Sequence, residues 1–320
     1  MKNRYKVCLF IFLSFVLSQL VYSQKNYYIG IGDSIYNHIP AHRGTVQWQY
    51  SEDNGSSWYD FPGLRSKQDD FGASITCDLK IRAKVTEGTC SIYSDTTIVY
   101  TNLSDFDGNK YPIKKIGTQV WMTENLRTSH YSDGSVIPYI TIKEEWSALK
   151  SDAYCYANDV KDSSVFYGYL YNGYAVKKNT ICPKGWGVPT DTDWEQLSAY
   201  LIKNGYGFGG SGDDIAKSLS AVNLAAYTAV TWSNSDIEGA PGNNVKLNNS
   251  SGFNGLPVGY RDENGNYGGF GTYANWWANY LEVAGNLKSV AIYYDNPILP
   301  GFLTGTATPI FGSSIRCIKQ

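Results

Sequence analysis

"CPKGWGVPTDTDWEQLSAYLIK", residues 182–203, decides how the longer part of this chain is read. Pro189 stops the extended segment before it, and Thr190 offers a side-chain oxygen to cap a helix. Asp191 and Asp193 fall in the first turn, where the helix dipole favours negative charge. Trp194, Leu197 and Leu201 then recur on one helical face, and Gly205 ends the run. The stretch predicts one amphipathic helix entered from a strand.

The segments around it have a different texture. "DFDGNKYPIKKIGTQVWMTENL", residues 105–126, predicts a hairpin turning at Asp107-Gly108 and continuing into a strand through Ile116 and Val120. "IKEEWSALK", residues 142–150, predicts a short helix with Trp146 and Leu149 on one side. After residues 213–220, which allow one more helical turn, strands and long loops are expected. Residues 24–101 read as β throughout. "VQWQY" places Val46, Trp48 and Tyr50 on one face, and "LKIRAKV" does the same with Leu79, Ile81, Ala83 and Val85. Asn54-Gly55 and Gly88 mark turns, so a small sandwich is predicted. "TNLSD", residues 101–105, reads as a polar linker. The fold class is therefore mostly β, with an α+β domain in the C-terminal two thirds.

The start of the chain has the layout of an export signal. Lys2, Arg4 and Lys6 precede an apolar run over residues 7–21, and Val21-Tyr22-Ser23 supplies small residues for cleavage. The run is shorter than the ~20 residues a bilayer-spanning helix needs. A signal peptide over residues 1–23 is expected, giving a secreted or cell-surface chain with no integral membrane segment after cleavage. Cys8 lies inside the apolar run, which argues against a lipoprotein. With 42% hydrophobic and 18% charged residues, disordered and fibrous classes are excluded. A formal net charge of −2 offers no general attraction to nucleic acid or anionic lipid. The other five cysteines are an odd set, so one at least is free or pairs outside the chain. They form no CxxC pair, and no metal or cofactor is expected.

Two resemblances emerge from these residues. "WQYSEDNGSSWYDFPG" resembles the immunoglobulin-like modules of secreted bacterial surface proteins, which act as spacers or adhesive stalks; it assigns residues 24–101 to such a sandwich. "DFDGNKYPIKKIGTQVWMTENLR", "AYCYANDV", "YGYLYN", "ICPKGWGVPTDTDWEQL", "GFNGLPVGYRDENGNYGGFG" and "SSIRCIKQ" follow in order. Together they resemble the Fibrobacter succinogenes major paralogous domain over residues 105–320. The resemblance implies a C-type-lectin-like α+β fold with long loops, in secreted and surface proteins of Bacteroidetes and Fibrobacteres. It brings no catalytic residues. Where many members carry Trp-Ser-Ser-Thr this chain has "WWANYLE", and "YYDNPILPGFLTGTATPIFG" is longer than the usual return to the last strand. In a lectin-like layout the segment entering the main helix runs near the C-terminal strand. The resemblance therefore implies a Cys182–Cys317 disulfide, with Cys77, Cys90 and Cys155 left unassigned.

Several motifs fall away on inspection. "GIGDS", residues 30–34, has the look of a hydrolase nucleophile block, but no Asp-x-x-His follows, and the chain has only His38, His42 and His130. "DFDGN" has the look of a calcium loop, yet its twelfth position is Ile116 where an EF-hand needs glutamate. "GYGFGGSGDD" lacks the Gly-Lys-Ser/Thr of a phosphate loop. What remains is "GLPVGYRDENGNYGGFGTYANWW", residues 255–277, which gathers rings, amides and acids. Tyr260, Arg261, Asp262, Asn264, Asn266, Tyr273, Asn275 and Trp276 are the candidate ligand-binding set, since rings stack on sugar faces while amides bond hydroxyls. The competing reading is that the aromatics, Trp276 and Trp277 above all, fill a core. The expected function is non-catalytic binding of a glycan or surface protein. The alternatives are a structural part of a surface assembly or an enzyme of unrecognised type.

Overall fold

The computed structural model describes residues 26–39, 42–63, 67–210, 212–222, 231–281, 287–299 and 305–320. The expected signal peptide and its cleavage point lie outside the described residues. The chain divides into two compact units between Thr101 and Asn102. With 36% strand and 16% helix it is mostly β.

In the first unit, the strands Asn26–Tyr28, Thr97–Tyr100, Leu79–Glu87, Thr45–Ser51 and Tyr59–Asp60 lie side by side in that order, and Cys90–Tyr93 also pairs with Leu79–Glu87. A second, two-stranded sheet joins Ser34–His38 to Asp70–Ser74. Both sheets contribute to one core, where Trp48 stacks on Phe71 at 5.3 Å between ring centres. Leu79, Ile81, Ala83 and Val85 all face it, as their alternation predicts. Asn54 (φ 60°) and Gly55 (φ 97°) form the turn between two paired strands. Residues 30–34 are a turn entering a strand: the Asp33 carboxylate accepts from the Gly30 amide at 2.9 Å.

The second unit holds three antiparallel sheets and the main helix, Asp191–Lys203. Thr190 accepts from the Asp193 amide while the Asp193 carboxylate accepts from the Thr190 amide, a reciprocal cap. Trp194, Leu197 and Leu201 are buried, and Gly205 (φ 76°) takes the left-handed conformation after the last turn. Trp146 of the short helix Lys143–Ser147 is likewise fully buried.

Two expectations need correction. The strand expected through Ile116 and Val120 is a hairpin: Lys110–Ile116 pairs with Gln119–Met122, with Ile116 opposite Gln119 and Gly117 at φ 63°. A two-residue turn of this kind takes positive φ, which glycine supplies without strain. Nor is "TNLSD" a linker. Asn102–Ser104 pairs with Lys110–Ile116 across the Asp107-Gly108 turn, because Leu103 has an interior to enter.

The C-terminal strand, Ile318–Lys319, explains the disulfide. It lies between Gln119–Met122 and Trp186–Gly187, with Ile318 opposite both Trp121 and Gly187. Cys317 and Cys182 thus arrive side by side, with Cα atoms 6.0 Å apart and the sulfurs bonded. Cys77 and Cys155 are free thiols.

Candidate functional site

The strand Tyr273–Leu281 organises the region singled out in the sequence. Successive side chains of a strand point to opposite faces, so adjacent Trp276 and Trp277 are both buried only because both faces are covered. Trp276 enters an aromatic core with Trp194 and Phe253, at 6.1 and 5.4 Å between ring centres. Its Nε1 donates to Asn125 Oδ1 at 2.9 Å. Trp277 donates to the Tyr171 carbonyl at 2.7 Å on the other face. Asn275, just before them in the strand, is also interior, at 1% exposure.

Arg261 is interior as well, again at 1% exposure. Its guanidinium lies over the Trp146 and Tyr267 rings at 4.5 and 5.0 Å. It donates to the carbonyls of Ile140 (2.7 Å), Thr141 (2.6 Å) and Gly265 (3.2 Å). Arg261, Asn275 and Trp276 therefore leave the candidate contact set, because their polar atoms and rings face protein rather than solvent.

Asp262, Asn264 and Asn266 belong to a turn whose chemistry occurs twice. In "DENGN" the Asp262 Oδ1 accepts from the amides of Asn264 and Asn266, and its Oδ2 accepts from the Asn266 side-chain amide. The Gly265 amide closes the turn onto the Asp262 carbonyl, with Gly265 at φ 79°. In "DFDGN" Asp105 receives the Asn109 amide and side chain in the same way, and Gly108 stands at φ 81°. An aspartate that caps its own turn two and four residues on is a hairpin device. Both carboxylates of "DFDGN" are taken by protein donors. Asp105 also accepts from Tyr111, and Asp107 accepts from Thr128 and Ser129 and faces His130 Nδ1 at 2.5 Å. Burial alone would raise Asp107, but the hydrogen bonds from Ser129, His130 and Thr128 outweigh it and hold its carboxyl below the usual range. Among the described residues, no group of three or more His, Cys, Asp and Glu is placed to hold a metal.

Tyr260 and Tyr273 are the candidates that do meet at a surface. They line a cleft of about 710 Å³ with Tyr293, Asp295 and Phe311. Tyr260 stacks on Phe311 at 5.1 Å and meets Tyr273 edge-on at 5.5 Å; Tyr273 leans on Tyr293 at 4.9 Å. Burial, then the neighbouring Tyr293, pushes the Tyr273 hydroxyl well above its ordinary range, so it stays a donor. Strand pairing sets this arrangement. Tyr260 lies opposite Gly268, and Tyr273 opposite Tyr293. A Cβ on Gly268 would lie 2.8 Å from the Tyr260 ring, so glycine there lets the ring lie flat across the neighbouring strand. Asp262 also borders the cleft, with its oxygens turned to its own hairpin.

Tyr293, Asp295 and Phe311 were not singled out in the sequence. They lie within residues 293–311, and two pairings bring them in: Tyr293 lies opposite Tyr273, and Gly312, next to Phe311, lies opposite Arg261, next to Tyr260. The available signal was "YYD" at the end of an apolar alternating run, too short to separate from any other strand end.

No helix among the described residues is long and apolar enough to cross a membrane. Comparison with curated proteins returns no match, and comparison with solved structures returns none. The model of the Fibrobacter succinogenes major domain matches residues 115–319, well over half of the chain. Those residues carry the main helix, the disulfide, Trp276, Trp277 and the cleft, and on them the chain belongs to the Fibrobacter succinogenes major domain family.

Proposed function

We propose that this chain is a secreted or cell-surface binding protein without catalysis, whose C-type-lectin-like domain presents the tyrosine cleft to a glycan. In this reading the N-terminal unit is an immunoglobulin-like spacer. The observation that carries the proposal is the cleft: four tyrosines (Tyr260, Tyr273, Tyr293 and Tyr294) and Phe311 line it together with Asp295. Sugar rings present flat C–H faces and a fringe of hydroxyls, which such walls match.

Among the described residues, the carboxylates with shifted acidity are Asp53, Asp107, Asp133 and Asp152. All four are shifted downward, by turns or ion pairs, whereas a general acid working near neutrality needs an upward shift. None of them lines the cleft.

A glycan array probed with the full chain and with Tyr260→Ala and Phe311→Ala tests the proposal. Retention by the parent chain that both variants lose supports it, since each substitution removes a wall of the cleft. Retention unchanged in both variants, with their folds intact, places any binding elsewhere and defeats it.

A further inference from the structure

We infer that the cleft prefers a saccharide bearing free amino groups and discriminates against acidic sugars, an inference that rests on the glycan reading above. The described lining carries two carboxylates and no lysine, arginine or histidine. Asp262 spends its oxygens on its own turn. Asp295, partly buried, has no hydrogen-bond or ion-pair partner among the described residues, so its carboxylate is available to a ligand.

Ring and carboxylate electrostatics act in the same direction. The faces of Tyr260, Tyr273, Tyr293 and Phe311 carry the negative lobe of the aromatic quadrupole, which attracts an ammonium and repels a carboxylate or sulfate. An acidic sugar entering would lose part of its hydration, find no cation, and face Asp295. A neutral sugar would gain stacking and hydroxyl contacts alone. A protonated hexosamine gains both of those, the charge of Asp295 and a ring face. At a half-exposed site one such charge contact together with one ring contact amounts to roughly a fivefold to tenfold preference.

The experiment titrates the full chain, by calorimetry at pH 6 and low salt, with three oligosaccharides of equal length. One is built from glucosamine, one from N-acetylglucosamine and one from a uronic acid. The expected order of affinity is free amine, then acetylated, then acid, with the first gap about fivefold to tenfold and shrinking in high salt. Asp295→Asn should cut the preference for the amine to the ring contribution, about twofold, in a protein whose circular dichroism is unchanged. Tighter binding of the acid than of the amine overturns the inference while leaving the glycan reading intact. So does an amine preference that Asp295→Asn leaves undiminished. Absence of Tyr260-dependent binding by all three removes the glycan reading itself, and the inference falls with it.

Discussion

Replacing both Cys182 and Cys317 by alanine should lower the stability of the C-terminal unit by about 5 kcal/mol. The pair is separated by 135 residues in sequence. Closing a loop of that length removes roughly 17 cal/mol/K of chain entropy from the unfolded state in the loop-closure treatment, which is about 5 kcal/mol at 25 °C. Both side chains are buried, so alanine is a cleaner replacement than serine, whose hydroxyl would enter an apolar site without a partner. For a unit of this size, 1 kcal/mol corresponds to about 2–4 °C in melting temperature, so the expected drop is on the order of 10–20 °C. Scanning calorimetry of the parent and double variant reads the shift, and peptide mapping without reduction reads the link. A drop below about 3 °C would refute the loop-entropy reasoning, as cross-linking that carries little stability must be offset by structure in the unfolded chain. Mapping that joins Cys155 to either partner would refute the pairing itself.

Arg261→Leu should cost about 3 kcal/mol, because it strands the carbonyls of Ile140, Thr141 and Gly265 in the interior; urea unfolding measures it, and a cost below 1 kcal/mol would mean those carbonyls find water. Acidification should destabilise the C-terminal unit through Asp107: its folded pKa lies below the unfolded value near ~3.9, so its contribution is complete above that value and is lost as pH falls through the folded one. Asp107→Asn should flatten that part of the stability-versus-pH curve, and an unchanged curve would show that the Ser129 and His130 contacts carry no weight. Asp262→Ala should cost about 1 kcal/mol by opening the "DENGN" turn, seen as faster amide exchange at Asn264 and Asn266, and equal exchange in both proteins would remove the capping role.

How much of the protein was legible in its residues depended on the range of the interaction involved. The main helix was readable because everything that defines it lies within about fifteen residues: Thr190 caps it, Asp193 closes the cap, Trp194, Leu197 and Leu201 share a face, and Gly205 ends it. Trp48, Ile81 and Val85 were readable as inward-facing for the same reason, since strand alternation is local. Gly117 shows where local reading stops. It was absorbed into a continuous strand because an apolar run does not announce a two-residue turn unless an Asn-Gly or Asp-Gly pair marks it.

In the candidate site the division is sharper. The sequence by itself determined that residues 255–277 concentrate rings, amides and acids, because composition is a property of the chain alone. It could not say which of them face water. Tyr260 and Arg261 are neighbours, yet one lines the cleft and the other lies between Trp146 and Tyr267, since a strand sends adjacent side chains to opposite faces. Which face is covered depends on Trp146 from residue 146 and on Phe311, and which tyrosine completes the cleft depends on the register that sets Tyr273 opposite Tyr293. Those are contacts between segments tens of residues apart or more. Only the tertiary structure decided them, because burial is settled by what packs against a residue and not by the residue's own polarity.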